Sequence, residues 1–310
     1  MYTRCLGLIL MLLGGCREAS THPAPAAMSG TGAPAPASAA GTAAPSGMSE
    51  GAYLGAGGIG VSDMARSFDF YTNVMGMTQR YELMVPNYAY EKILYFKDSK
   101  GSDVVLMSFN DGAMRNYTNN PVKLVFYVPS AKNIIEAIRA RGLPVLSEPA
   151  AQAAFGNTVI GFARDPDGYI LEIIESPQLS VPYLGAIGIG VADLEKSRDF
   201  YTRVLGMKPM GELISVPNVW DEWVLQYPSG KGSAVVILHY TDGRPHNYLN
   251  NPIKTVHFVP DSRGLSESVQ REGLPLLAAP TMYNVQGVDA LIGLARDPDG
   301  YQLEMVTTKP

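Results

Sequence analysis

The sequence predicts an α+β fold built as two tandem modules, each made of two βαβββ units. Three observations carry this: a long internal repeat, a recurring order of strand, helix and strands, and a tight-turn motif near the end of each copy. The copies span residues 53–177 and 183–307, about 130 residues apart. Tyr53-Leu54-Gly55-Ala56 returns as Tyr183-Leu184-Gly185-Ala186, and Asp69-Phe70-Tyr71-Thr72 as Asp199-Phe200-Tyr201-Thr202. Asn119-Asn120-Pro121 returns as Asn250-Asn251-Pro252, and Asp165-Pro166-Asp167-Gly168-Tyr169 as Asp297-Pro298-Asp299-Gly300-Tyr301. The period is too long for a solenoid, and each copy is long enough to bury a core of its own. Repetition also ranks candidates: a polar residue kept in both copies outranks one found in a single copy.

Within the first copy, Gly57 to Val61 reads as the first strand and Asp63 as the cap of the helix that follows. Met64, Ser67, Tyr71 and Val74 recur at helical spacing, and Gly76 suits the left-handed residue that ends a helix. Extended segments follow near 78–84, 90–97 and 102–109. The second unit starts at Val122 to Val128, continues as a helix near 131–140 closed by Gly142, and ends in segments near 144–147, 157–164 and 169–175. In the Asp-Pro-Asp-Gly turn, proline presets the bend and glycine takes positive φ. The modules are bounded at residues 51–178 and 181–308.

The first fifty residues read differently. Leu6 to Leu13 is an apolar run too short to span a bilayer and suited to the core of an export signal. It ends in Leu13-Gly14-Gly15-Cys16, which resembles the lipobox of bacterial lipoproteins. That resemblance implies a signal peptide over 1–16, acylation of Cys16 and a membrane contact through the lipid. Arg17 in place of Asp implies the outer membrane, facing the periplasm, in a Gram-negative envelope. Residues 17–50 are nearly all Ala, Pro, Ser, Thr and Gly, a composition that buries no core and reads as a disordered tether. It would reach roughly 100 Å extended and roughly 30 Å as a coil. Cys5 and Cys16 are the only thiols, so disulfides and thiolate chemistry are excluded from the two modules. Net charge is −5 without a Lys/Arg cluster, which argues against nucleic acid as a partner. Gly55-Ala56-Gly57-Gly58-Ile59-Gly60 fits a dinucleotide pattern literally, but it does not lead from strand to helix in that motif's order.

Paired βαβββ units carrying Asp-Phe-Tyr, then Gly-Met, then Asp-Pro-Asp-Gly-Tyr-x-Leu-Glu, resemble the vicinal oxygen chelate superfamily of glyoxalase I, bleomycin-resistance proteins and extradiol dioxygenases. The resemblance covers nearly all of residues 53–307. It implies half-open β-barrel cups, one concave cup per module, each suited to a small molecule. Metal-dependent members hold a divalent ion with four cup residues. Carried over by position, these fall on Ala56 and Ala186, Leu106 and Ile237, Lys123 and Lys254, and Glu172 and Glu304. Only the glutamates match. Alanine and aliphatic side chains cannot coordinate a metal, and lysine must first lose its proton. No metal cofactor is therefore expected.

Lys123–Glu172 and Lys254–Glu304 are instead expected as ion pairs standing in for the ion, because an unpaired buried charge is costly. These four are the candidate ligand-binding or catalytic residues, with strand registration as their plainer role. A charged lysine in a cup could hold an anionic oxygen. His239 shares a strand face with Ile237, so it is expected to look into the second cup. With Glu304 it is the minor alternative for a nickel, zinc, iron or manganese ion. His257 lies opposite Lys254 and reads as core. Among the third-strand aromatics, Tyr88, Tyr90, Tyr95, Trp220 and Trp223, the first candidates to line the cups are Tyr90 and Trp220. The leading reading is an envelope-tethered protein that binds a small, anionic molecule. The alternatives are a glyoxalase-like lyase, isomerase or dioxygenase, and a membrane-associated scaffold.

Overall fold

A computed structural model describes residues 50–308 except 118–119 and 249–250. The expected signal segment, Cys16, His22 and residues 17–49 of the tether lie outside the described residues, as do Asn119 and Asn250.

Each module contains the two expected units. Module 1 runs β1 (Tyr53–Gly60), α1 (Met64–Asn73), β2 (Thr78–Val85), β3 (Ala89–Tyr95) and β4 (Asp103–Phe109), then β5 (Val122–Val128), α2 (Ala131–Ala140), β6 (Val145–Gln152), β7 (Thr158–Arg164) and β8 (Ile170–Glu175). Module 2 opens with β9 (Tyr183–Gly190), α3 (Leu194–Asp199, continued by a π turn over Phe200–Val204), β10 (Lys208–Pro209), β11 (Ile214–Val216), β12 (Trp220–Gln226) and β13 (Ala234–Tyr240). It closes with β14 (Ile253–Phe258), α4 (Ser262–Arg271), β15 (Leu276–Val285), β16 (Val288–Arg296) and β17 (Gln302–Thr308). The Asp63 carboxylate accepts from Arg66 N at 3.0 Å, so the predicted cap is in place. Gly76 and Gly142 both take positive φ after their helices.

The pairing of units departs from expectation. Sheet I has the order β15-β16-β17-β14-β1-β4-β3-β2, and sheet II the order β10-β12-β13-β9-β5-β8-β7-β6. Each sheet therefore joins the first unit of one module to the second unit of the other. Strand β1 runs antiparallel to β14, with Ile59 opposite Ile253, and β9 runs antiparallel to β5, with Ile189 opposite Val122. The expectation of one cup per module fails for a physical reason. The open edge of a first unit needs a partner strand, and β5 and β14 are near-copies that offer the same edge.

The two sheets meet at a reciprocal serine contact. Ser102 N donates to Ser233 Oγ at 3.1 Å, and Ser233 N donates to Ser102 Oγ at 2.9 Å. Their hydroxyls then donate to the Leu54 and Leu184 carbonyls. Gly60 N also donates to Pro252 O at the end of the β1–β14 pair, and Gly190 N to Pro121 O at the end of the β9–β5 pair, both at 2.6 Å.

Strand alternation divides the interior in two. Leu124, Phe126, Leu171 and Ile173 face the helices, in one core shared by both modules. The opposite faces of sheets I and II are concave and carry separate smaller clusters. The repeated Asp-Phe-Tyr and Asp-Pro-Asp-Gly-Tyr motifs belong to the helix side. Tyr71 OH donates to Asp165 Oδ2 and Tyr201 OH to Asp297 Oδ2, both at 2.8 Å. Tyr169 OH donates to Gly60 O at 2.9 Å and Tyr301 OH to Gly190 O at 2.7 Å. They join a turn, a helix and the end of a central strand; their role is architectural. Burial raises Asp165 and Asp297 to about 7, although both accept hydrogen bonds.

Candidate binding cups

The concave faces, cup I on sheet I and cup II on sheet II, each hold a triad of one lysine and two glutamates, all buried except the partly exposed Glu304. In cup II, Lys123 Nζ lies 2.9 Å from Glu172 Oε2 and 2.7 Å from Glu222 Oε2. In cup I, Lys254 Nζ lies 2.8 Å from Glu304 Oε2 and 2.7 and 2.9 Å from the two oxygens of Glu91. Thus the structure brings together both lysine–glutamate pairs named from sequence and adds a second carboxylate to each. Glu91 comes from β3 and Glu222 from β12, so each added carboxylate belongs to the other module from its lysine. Had the units paired within a module, Lys123 would face Glu91 instead.

Local sequence explains how the lysines fit. Gly58 lies beside Lys254 and Gly188 beside Lys123. A Cβ at either glycine would overlap the lysine stem, so these strands stay bare there. The aliphatic stems cross the bare glycines, and each ammonium ends between two carboxylates. Burial alone would lower the lysine pKa values. The flanking carboxylates outweigh it, and both lysines titrate above their usual range. Burial raises Glu91 and Glu222, against the pull of the lysines. With its donors directed to two carboxylates, each ammonium is poorly placed to hold an anionic oxygen, the use first expected of it.

Several other candidates fall elsewhere. Leu106 and Ile237 belong to the helix-side core; the cup positions next to the lysines are Met107 and Leu238. The sequence carry-over is out by one residue there, and one residue reverses a strand's face. His239 follows Ile237 away from cup II. It hydrogen-bonds Val191 O at 2.9 Å through Nδ1, and its ring stacks towards Tyr248. It does not meet Glu304, which lies on the other sheet. Tyr90 also faces away from cup I, donating to Glu82 Oε2 at 2.6 Å. Trp220 does line cup II, with the Lys123 ammonium 5.1 Å from its ring. His257 is fully buried against Tyr227 OH and Thr255 Oγ1, both at 2.9 Å, and burial lowers it to about 3.

The donor set does not suit the divalent ion that metal-dependent relatives of this fold hold. Alanine stands at Ala56 and Ala186, and Met107 or Leu238 lies beside the lysine. A protonated amine already sits between the two carboxylates, and a second cation there would meet its charge. No group of three or more His, Cys, Asp or Glu side chains suited to a metal occurs among the described residues.

The two cups differ in access. In cup II, Trp220, Val216 and Phe162 are buried in the concave-face cluster, and the Trp220 ring lies against the Lys123 ammonium. Cup I has Ala89 at the position of Trp220, and the Glu304 side chain is 17% exposed against 4% for Glu172. Tyr88 OH donates to Gln302 Oε1 in cup I. Gln302 Nε2 is buried and has no hydrogen-bond partner among the described residues.

A family profile described as the Glyoxalase/Bleomycin resistance protein/Dioxygenase superfamily matches residues 53–173 and 183–305. Lactoylglutathione lyase GLX1 of Arabidopsis thaliana is 24% identical over 263 residues, covering 80% of this chain and 89% of that protein. The lactoylglutathione lyase of Escherichia coli O157:H7 is 33% identical over 117 residues, covering 37% of this chain and 86% of its own length. The crystal structure of glyoxalase I from Zea mays superposes with a TM-score of 0.65 at 22% identity, covering 83% of this chain and 92% of that one. Two family matches on one chain, each enclosing a βαβββ pair, account for the repeat, and the chain belongs to the Glyoxalase/Bleomycin resistance protein/Dioxygenase superfamily.

Proposed function

We propose that this chain binds a small molecule in cup I without a metal ion, and that the triad of cup II, buried beside Trp220, is a structural counterpart. The observation that carries the reading is the lysine ammonium between two carboxylates, where the fold's metal-dependent members hold a divalent ion. Two features of cup I support it as the binding cup, the partly exposed Glu304 and the small Ala89, and beside them the amide of Gln302 has no partner among the described residues. A buried donor without a partner is costly and favours a ligand that supplies an acceptor. The preferred ligand carries a carbonyl or hydroxyl oxygen for Gln302 and an apolar body for Ile93, Val105 and Val256. We further propose that a lipid on Cys16 tethers the protein to the cell envelope. Its test is fractionation: Cys16→Ser should move the protein from the membrane to the soluble fraction.

Thermal unfolding against a panel of small carbonyl and hydroxyl compounds, with a parallel assay for lactoylglutathione lyase activity, tests the cup reading. Saturable stabilisation by a compound, lost in Gln302→Leu, is the expected result. Lyase turnover that depends on added nickel or zinc would overturn it and move the chain to the enzymes its relatives are named for.

A further inference from the structure

A cavity of about 360 Å³ opens at the outer end of the concave face of sheet II, where Lys100 of module 1 reaches over module 2. It is lined by Lys100, Lys231, Tyr127, Tyr183, Met210 and Ala234, among others, and no carboxylate lines it. Neither lysine is within ion-pair distance of a carboxylate among the described residues; the Lys100 ammonium lies 5.0 Å from the centre of the Tyr183 ring. Tyr183 stacks on Tyr127 with ring centres 4.9 Å apart and planes 5° from parallel. Met210 is 40% exposed, although it is apolar.

The repeat supplies an internal control. Thr78 pairs with Tyr95 as Lys208 pairs with Gln226, and Ala56 pairs with Asp103 as Ala186 pairs with Ala234. The counterparts of Met210, Gln226 and Ala234 are therefore Arg80, Tyr95 and Asp103. On sheet I these three form a plug. Arg80 Nε lies 2.8 Å from Asp103 Oδ2, its second nitrogen 3.2 Å from Oδ1, and its guanidinium 3.9 Å from the centre of the Tyr95 ring. On sheet II all three members of the plug are replaced by uncharged residues. The edge strand is also broken: β2 is continuous over Thr78–Val85, whereas β10 and β11 are separated around Gly211, at φ +101°. Losing the plug removes one carboxylate, leaves two lysines and exposes an apolar floor.

From this asymmetry we infer that the sheet II cavity is a binding site for a small aromatic carboxylate. The anionic head goes to Lys100 and Lys231, and the flat body lies on Met210, Ala234 and the tyrosine pair. The volume suits a one- or two-ring compound. The site is separate from the Gln302 region of cup I, so this inference stands without the reading of that cup.

Titration of the full protein with 2-naphthoate and with its neutral counterpart 2-naphthamide, by calorimetry, tests it. One 2-naphthoate should bind per chain, and 2-naphthamide about tenfold more weakly, the effect of one to two solvent-exposed charge contacts. Lys100→Gln with Lys231→Gln should weaken 2-naphthoate by a similar factor. Met210→Arg with Ala234→Asp, which rebuilds the arginine–aspartate pair of the sheet I plug, should abolish binding; a melting curve checks that this variant folds, and the lysine pair decides if it does not. Gln302→Leu should leave this binding unchanged. The inference is overturned by equal affinity for naphthoate and naphthamide, by wild-type affinity in the lysine variant, by no saturable binding, or by loss confined to Gln302→Leu.

Discussion

Cup I and cup II hold the same three charged groups in different surroundings. In cup II the triad shares its face with the buried Trp220, Val216 and Phe162, and all three charged side chains are 3–4% exposed. In cup I, Ala89 takes the place of Trp220, and Gln302 that of Ile170. The same triad then retains a partly exposed carboxylate; each cup also carries a buried N–H without a partner among the described residues, Gln302 Nε2 in cup I and Trp220 Nε1 in cup II. The difference teaches that the triad itself is the architectural constant, present wherever two units meet. What distinguishes an accessible triad from a buried one is the set of side chains around it.

The largest predicted effect probes those surroundings. Lys123→Met strands two carboxylates in a buried site and should cost about 3–5 kcal/mol. Lys254→Met should cost less, because water reaches Glu304. Urea unfolding of both variants measures the difference, and equal losses would break the comparison.

A second contrast concerns pH. Asp165 and Asp297 occur in both copies, and burial raises each to about 7. The folded state then holds a proton that the unfolded chain releases near pH 4. Stability from each group is present below that value and is lost as pH rises towards 7. Asp165→Asn and Asp297→Asn should each remove a decline of about 2–3 kcal/mol between pH 5 and 7. Unfolding curves at a series of pH values should show similar effects for the two, since their surroundings match.

His257 should act in the opposite sense, and in one copy only. Its counterpart is Phe126, and burial lowers it to about 3. The unfolded chain takes up a proton near pH 6.5 that the folded chain refuses, so stability falls as pH drops below that value. His257→Phe should remove a loss of about 2 kcal/mol between pH 7 and 5. An unchanged acid limb in the variant would show that His257 is hydrated in solution.

Much of this was legible in the sequence. The order of strands and helices, the helix caps and the glycines after the helices follow local rules that need no tertiary information. Lys123 with Glu172, and Lys254 with Glu304, were visible because each charge sits within an apolar strand in both copies. Glu91 and Glu222 did not stand out in that way, because Lys92 and Asp221 put a second charge beside each. They occupy matching places, and each shares its strand face with an apolar residue, Ile93 or Val224. Tyr90 and Trp223, one position away on the opposite face, drew attention instead. The exchange of units between modules was not legible, because β5 and β14 offer nearly the same edge. The faces of Leu106 and His239 depended on a one-residue register that a pattern of consecutive apolar residues does not fix. The sheet II cavity required three matched substitutions to be seen together in space.

Metal retention tests the central claim most directly. The purified protein would be incubated in turn with nickel, zinc, iron and manganese, desalted, and its metal content measured. With an ammonium held between two carboxylates in each cup, no stoichiometric retention is predicted for any of the four. One ion retained per cup would contradict the account, because the lysine would then have to leave the site or surrender its proton.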